Sequence, residues 1–320
     1  MSKWEPQKIR LGVSSCLLGE TVRYDGGHKR DAFLTDTLGP FVEWVPVCPE
    51  MEIGLGVPRP PIRLVGHPQT PRLVVEKTGE DLTARMQRWA SGRIAGLGAL
   101  GLHGYVLKRS SPSCGLVRVR VHGEDGSPDR AGRGMFAAAL TDALPLLPVE
   151  EEGRLTDAGI RESFIERVFA AARWQAFTAS GPRARDLAAF HAAHKFVILA
   201  HSPRHYGELG RLVAGAGPRL ALDTLQAYGA RFSQALAVRA TRARHVNVLQ
   251  HLAGFGKRQL SDDDRAEIGE VIAEYRRGLV PLVVPLTLLK HHVRRLGIAY
   301  LADQVYLSPH PRELMLRNHV

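Results

Sequence analysis

The stretch FVEWVPVCPE, Phe41 to Glu50, decides how this chain is read. FVEWVPV (41–47) is Val-rich and closed by a proline, which reads as a strand. A cysteine stands where the strand should end, followed by Pro49 and the carboxylate of Glu50. The same order recurs twice. KIRLGVSS (8–15) runs into Cys16, and GYVLK (104–108) precedes Cys114 in KRSSPSCG. RLVVE (72–76) and LVRVRV (116–121) are further strands. RDAFLTDTLG (30–39), DLTARMQRWASGRIAGLGAL (81–100) and GRGMFAAALTDAL (132–144) read as helices. In the second, Leu82, Met86, Trp89 and Ile94 fall near helical spacing. Strand–helix alternation of this kind predicts an α/β N-terminal domain with a largely parallel sheet. Ligands bind such sheets in the crevice outside the carboxyl ends of the strands. Three cysteines far apart in sequence are therefore expected to meet at one point. Ser14, Ser15, Ser111, Ser113, Gly19 and Gly115 suit the tight loops this needs, and Pro49 and Pro112 stiffen two of them.

The chain has 320 residues, 44% hydrophobic and 23% charged, which is ordinary globular usage and long enough for two cores. No run approaches the ~18 apolar residues that span a bilayer, so no membrane association is expected. The opening MSKWEPQKIRLGV lacks the apolar region of a secretory signal, which makes the cytoplasm the expected location. In a reducing compartment three cysteines read as ligands or nucleophiles rather than disulfide partners. The net charge of +11 is uneven: residues 1–155 hold 20 Lys+Arg against 18 Asp+Glu, and residues 156–320 hold 23 against 14. That basic excess points to a polyanion, nucleic acid before membrane, although many soluble proteins are basic for no specific reason.

PLLPVEEEGRLTDAGI (145–160) reads as a boundary, with Thr156-Asp157 as a helix start. RESFIERVFAAARWQAF (161–177) is a helix, broken by TASGPRARD (178–186). From there to about residue 300 almost everything reads as helix, including a capping pair of Ser261 and Asp264. The expected organisation is an α/β domain over 1–152, a linker helix over 153–186 and an all-α domain over 187–320.

Three thiolates at one point suit several chemistries. A structural zinc needs four closed ligands, and no CxxC pair starts one. A catalytic zinc bound by three anionic sulfurs would be a weakened Lewis acid, and His28 as a fourth ligand would favour that ion. An iron–sulfur cluster normally takes four cysteines, so three leave one iron open to an exogenous atom. The plainest alternative is three unconnected buried cysteines. Spacing alone leaves all of these open.

The flanking residues go further. SSCLLGETVRYDGGHKR (14–30), VCPEMEIGLGVPRPPIRL (47–64) and LKRSSPSCG (107–115) resemble the thiouracil desulfidase family across roughly residues 8–150. The resemblance implies that Cys16, Cys48 and Cys114 bind a 4Fe–4S cluster with one iron not ligated by protein. It also implies that the Glu of the CPE motif, Glu50, relays protons in a non-redox desulfidase reaction. Read as a residue alone, Glu50 has the plainer alternative of a helix-start carboxylate, although its two-residue offset from Cys48 favours the proton role. Ser111 and Ser113 are candidates for contacting substrate or cluster sulfides, or are simple turn formers. Asp25, His28, Lys29 and Arg30 form a polar loop suited to a phosphate or the substrate, with Gly26 and Gly27 free to take positive φ.

In the basic half, HKFVILAHSPRHYGELGRLVA (194–214), RHVNVLQHLAGFGKRQLS (244–261) and YRRGLVPLVVPLTLLKHHVRRLGIAYLADQVYLSPHP (275–311) resemble a second, all-helical family. That domain occurs fused to the desulfidase-like one in proteins resembling tRNA 4-thiouridine desulfidases, which implies thiolated tRNA as partner. Lys195, Arg204, His205, Arg244, Lys257, Arg258, Arg294 and Arg295 are the candidate RNA contacts. Around them lie His194, His201, Tyr206, Arg242, His245, Lys290, His291 and His292. Cations would meet phosphates and aromatics would stack bases. Singly, each cluster also reads as a solvated helix face. The histidines are not expected to bind metal, because no carboxylate or cysteine accompanies them at ligand spacing. Two rival functions stay in view: desulfidation of small free thiobases such as 2-thiouracil, and a non-enzymatic iron–sulfur sensor that binds RNA. A zinc nucleobase deaminase is set aside, since its H-x-E…P-C-x-x-C signature is absent.

Overall fold

The structure is a computed structural model that describes residues 8–123, 127–217 and 219–320. The opening residues 1–7 of the first expected domain lie outside the described residues. The chain divides at Thr156, and Asp157–Val320 form the second unit.

The described strands of the first unit are β1 (Ile9–Ser14), β2 (Val42–Val47), β3 (Ile62–Val65), β4 (Arg72–Val75), β5 (Gly104–Leu107), β6 (Val119–His122), β7 (Pro128–Gly132) and β8 (Val149–Glu151). Its helices are α1 (Pro49–Glu52), α2 (Thr83–Ala99) and α3 (Met135–Ala143). Strands β2-β1-β5-β8 form one sheet, parallel throughout. Its central strand is apolar almost end to end, as a strand covered on both faces must be. At Gly12 a Cβ would lie 2.1 Å from the buried Tyr105 ring, so only glycine lets β1 and β5 close there. Helices α2 and α3 cover one face, with Ile94, Leu97, Phe136 and Leu140 packed on Tyr105 and Leu107.

The second sheet, β4-β3-β6-β7, is mixed: β3 and β6 run parallel, while β4 and β7 are antiparallel additions. Leu64, Leu73, Val75, Val119 and Val121 pack on Ile53, Leu82 and Met86. Alternation along the strands puts Arg63, Arg120 and His122 on the other face.

The expected parallel sheet is present, and the strands expected over 72–76 and 116–121 fall instead in a second sheet, whose separate pairing sequence patterning does not predict. Strands β3, β7 and β8 escape that patterning because they are short and carry charged residues, which hides the period of two. Val149–Glu151 even falls in the stretch read as a boundary. The helix expected over 30–39 is a wide π-helical segment, Phe33–Leu38, followed by a 3-10 turn at Gly39–Phe41. Leu34 and Leu38 are its buried anchors.

The second unit is helical: α4 (Ala158–Ala179), α5 (Ala184–His201), α6 (Pro203–Ala214), α7 (Leu222–Ala237), α8 (Arg242–Phe255), α9 (Asp262–Arg277), α10 (Val283–Arg295) and the short α11 (Ala299–Ala302). Asp157 caps α4 by accepting from the Ile160 amide at 2.8 Å. Ser261 and Asp264 form the expected capping box on α9. Helix α4, in the stretch expected to link two domains, is packed into this unit through Ala170 and Phe177. Trp174, Phe177, Phe190, Tyr228 and Phe232 form its aromatic centre. A buried ionic group ties its ends together. Arg317 donates to Glu162 at 2.9 Å and to Glu166 at 3.3 Å, and His201 donates to the other oxygen of Glu166 at 3.0 Å. Among the described residues no helix is long and apolar enough to cross a membrane.

Candidate active site

The order β2-β1-β5 sets the carboxyl ends of three neighbouring parallel strands at one edge. The chain leaves β1 for β2 on one side and later returns to β5 on the other. Such a reversal of winding opens a crevice at those ends. Each cysteine follows one of these strands.

Cys16 lies in the 3-10 turn Ser15–Leu18, closed by Gly19 at φ 98°. Cys48 directly follows β2 and takes the N-cap position of α1, with Pro49 as the first helical residue. The Cys114 loop is held from two directions. Ser111 Oγ accepts from the Ser113 and Cys114 amides at 3.2 and 3.0 Å. The first amides of α3, which have no partner within their own helix, donate back into the loop. Met135 donates to Pro112 O at 3.0 Å, and Phe136 and Ala137 donate to Ser113 O at 3.0 and 3.1 Å. The fit is close: a Cβ on Gly134 would lie 2.5 Å from Ser113 O.

The three cysteines line one cavity of about 400 Å³ together with Glu50, Ser14, Ser15 and Ser111. Glu50 is 9% exposed, and its Oε2 is 3.6 Å from Cys48 Sγ. Burial, reinforced by the Glu50 charge, pushes the Cys16 thiol up to about 11 and the Cys48 thiol up to about 12. Burial holds the Cys114 thiol well above the usual range too. As free thiols the three are neutral, and a thiophilic cation is what would draw them to thiolate. Their spacing tests which cation fits. Thiolates on one tetrahedral zinc, each at about 2.3 Å from the metal, stand under ~4 Å apart. Among the described residues the trio of ligand types found within 4.8 Å of one another is Asp264, Glu267 and His292, not the cysteines. Three sulfurs around one roomy cavity, not all within 4.8 Å of one another, fit a cluster of several metal atoms better than one ion. Arg23, Lys29, Arg59 and Lys108 also line the cavity and offset its negative charge.

Of the residues expected here, Cys16, Cys48, Cys114, Glu50, Ser111 and Lys29 come together on the cavity, while Asp25, His28, Arg30 and Ser113 do not line it. Asp25 accepts from the Gly27 amide at 3.0 Å and pairs with Arg23 at 3.4 Å. That amide, more than the arginine, holds its carboxyl below the usual range. Arg30 pairs with Asp36, and His28 Nδ1 accepts from the Arg30 amide at 3.2 Å. Asp25, His28 and Arg30 thus shape the loop behind Cys16. Ser113 is fully buried under α3. Sequence reasoning overlooked Arg23, Tyr24, Arg59, Lys108 and Arg109, all of which line the cavity. The signal for Arg59 was a cation inside a proline-rich turn. It donates to Val22 O at 3.0 Å and Gly56 O at 2.9 Å, tying two loops.

In the helical unit the basic clusters separate into buried and exposed members. His194, His201, His245 and His292 are buried, and so are not surface cations. Burial drives His194 and His245 down to about 3. Arg244 donates to His201 O at 2.6 Å, Arg204 to Glu208 at 2.9 Å, and His205 bonds Ser202 at 2.8 Å. Arg295 pairs with Asp264. Lys195 Nζ sits 4.6, 5.2 and 5.0 Å from the Phe196, Phe255 and Tyr300 ring centres. Lys257, Arg258 and Arg294 are exposed, with no carboxylate within 4.0 Å among the described residues. One expectation is corrected: carboxylates do accompany a histidine, since α9 packs on α10 and brings Asp264 and Glu267 to His292.

Residues 11–152 match the model of a family described as 2-thiouracil desulfurase. The solved structure of a 4Fe-4S-dependent thiouracil desulfidase, TudS, is 35% identical, covering 47% of this chain and 95% of that one, with a TM-score of 0.39. The chain belongs to the 2-thiouracil desulfurase family. Beyond that family's domain, residues 195–311 match a model described as a protein of unknown function, DUF1722. YbgA of Escherichia coli K12 is 32% identical over 158 residues, 49% of this chain and 94% of that protein. YbbK of Bacillus subtilis 168 is 30% identical over 136 residues, 41% of this chain and 89% of that protein.

Proposed function

We propose that this member of the 2-thiouracil desulfurase family is a 4Fe–4S-dependent desulfidase whose substrate is 4-thiouridine in tRNA, converted to uridine with release of sulfide. The observation that supports this is the convergence of Cys16, Cys48, Cys114 and Glu50 on one cavity. The three cysteines would hold the cluster, with one iron left without a protein ligand. When bound, that group supplies a soft Lewis acid for the thiocarbonyl sulfur. The chain's own residues supply the rest. Glu50 takes a proton from water as its oxygen adds to the base carbon, and returns that proton as the carbon–sulfur bond breaks. Thiocarbonyl and water become carbonyl and hydrogen sulfide, so no electron donor is needed. Arg23, Lys29, Arg59 and Lys108 balance the charge of the cysteine sulfurs. A base in folded tRNA must leave its stack, at a cost of a few kcal/mol, which phosphate contacts elsewhere offset. In the helical unit Lys257, Arg258 and Arg294 are the candidate cations left open for that purpose, while Lys195, Arg204, His205, Arg244 and Arg295 are engaged in the fold.

A second reading keeps the chemistry and takes a free thiobase. The name of the matched family, 2-thiouracil desulfurase, favours it, as does a cavity of about 400 Å³, within the usual range for small ligands. The test is the ratio of kcat/KM for thiolated tRNA to that for 2-thiouracil at low and high salt. A ratio far above one that falls steeply with salt is expected. A ratio below one at both salts would move the substrate to the free base.

A further inference from the structure

We infer that the first unit carries its own grip on a polynucleotide backbone: an arginine groove that adjoins the cysteine cavity and leads phosphates past its mouth. This rests on the desulfidase reading and names where its substrate's backbone lies. A groove of about 650 Å³ is lined by Arg63, Arg109, Arg118, Arg120, Arg130 and Arg154. It shares Ile62, Arg109, Ser110 and Pro112 with the cysteine cavity, so the two are continuous. The unit as a whole is nearly neutral, with 20 basic and 18 acidic residues over 1–155, and yet six arginines gather here.

Most of them lack a counter-charge. Arg63, Arg109, Arg118, Arg120 and Arg130 have no carboxylate within 4.0 Å among the described residues, while Arg154 pairs with Glu150 at 2.6 Å. Arg63 Nε is buried without a partner. Two carboxylates line the groove, and one is already occupied. Glu151 Oε1 accepts from the Leu116 and Val117 amides at 2.7 and 3.3 Å, which anchors the loop bearing Arg118. That leaves Glu76 as the acidic residue open to solvent. Arg118 and Ser110 are at φ 57° and 58°, two of three non-glycine residues with positive φ among those described. Backbone held in that region costs about 1–3 kcal/mol, and such residues gather where a function fixes them.

The chemistry selects the ligand class. Guanidinium forks match phosphate oxygens in pairs, and one or two of them satisfy one phosphate. Here they come from β3, β6, β7 and the loops after β5 and β8. That spread suits successive phosphates of one strand. A base flanked by those phosphates would enter the cavity beside Arg109 and Ser110.

The test uses the full chain and binding alone. Fluorescence anisotropy with unthiolated tRNA between 50 and 200 mM salt, roughly the range where backbone contacts are lost, reads the groove directly. Arg120→Ala and Arg63→Ala are each expected to weaken binding about tenfold and to flatten the log–log salt slope by about one. Arg120→Lys should restore the slope, and circular dichroism melting should show all variants folded. Parent-like affinity and slope in both alanine variants would overturn the inference. So would uridine 5′-monophosphate binding as tightly as tRNA, which means a single-phosphate site. Phosphatidylglycerol vesicles that bind through these arginines while tRNA does not would overturn it as well. Arginine-dependent tRNA binding without sulfide release from any thiobase would sink the desulfidase reading and leave the groove standing. Turnover of 2-thiouracil with unaltered tRNA binding in the variants would do the reverse.

Discussion

Glu50 Oε2 stands 3.6 Å from Cys48 Sγ, and Glu50 is the carboxylate among the residues that line the cavity. Glu50→Gln keeps the shape and removes the base. Turnover should fall on the order of 10²- to 10⁴-fold, with the visible absorbance of the cluster retained; loss of both together would make Glu50 a structural residue. This centre was legible because each cysteine is written beside a strand end, and the carboxylate is two residues from one of them. The surrounding cations were not legible. Arg59 and Lys108 come from loops whose approach is set by tertiary packing. Arg317 shows the same limit at the other end of the chain. Nothing local marks it as buried, yet it neutralises Glu162 and Glu166. Arg317→Met should cost about 3–5 kcal/mol in urea unfolding, since Glu162 would be left buried and unpaired and Glu166 would keep His201 alone. A loss under ~1 kcal/mol, the scale of an exposed pair, would mean that solvent reaches them.

Among the elements, α3 does most for the site, because its first amides hold the Cys114 loop. Gly134→Ala puts a methyl 2.5 Å from Ser113 O and 2.7 Å from the Gly115 nitrogen, and neither backbone atom can yield easily. The expected loss is about 1–3 kcal/mol, with fewer iron atoms bound per chain after anaerobic loading. Gly92→Ala on α2 is the contrast, with nothing within 4 Å of the new carbon. It should raise stability by about 0.5–1 kcal/mol and leave iron loading unchanged. Melting curves with iron assays check both. Long periodic elements such as α2 and α4 could be read from spacing, as could Val-rich β1 and β2. In the second sheet β4 and β6 could be read as well, but β3 and β7 could not, because they are short and carry Arg63 and Arg130. Those arginines line the inferred RNA groove, so what hid these two strands is what makes them useful.

On the scale of the molecule, buried histidines set the response to pH. Burial holds His194 and His245 at about 3 and His310 at about 4 in the fold. Unfolded, they take up protons below about 6.5, so stability falls as pH drops from there, by up to about 1.4 kcal/mol per unit for each group. His201 runs the other way. Burial alone would lower it, but the Glu166 carboxylate outweighs burial and raises it. Its contribution is fully present below about 6.5 and is lost as pH rises through the raised value. Melting temperature should therefore peak near pH ~6.5 and fall on both sides of it. A profile that only rises or only falls would contradict this balance. The two-part architecture was visible in the charge and cysteine distribution. The basic residues were not, since four histidines counted as surface candidates are core residues and a groove lined by six arginines lies in the nearly neutral unit.

The most direct measurement of the central claim is anaerobic. The chain is loaded with iron and sulfide, its visible cluster absorbance is recorded, and 4-thiouridine loss from tRNA is followed alongside sulfide release. One sulfide per thiobase lost, abolished together with the absorbance by Cys114→Ala, is the expected result. A chain that carries the cluster yet leaves both thiolated tRNA and 2-thiouracil intact would contradict it.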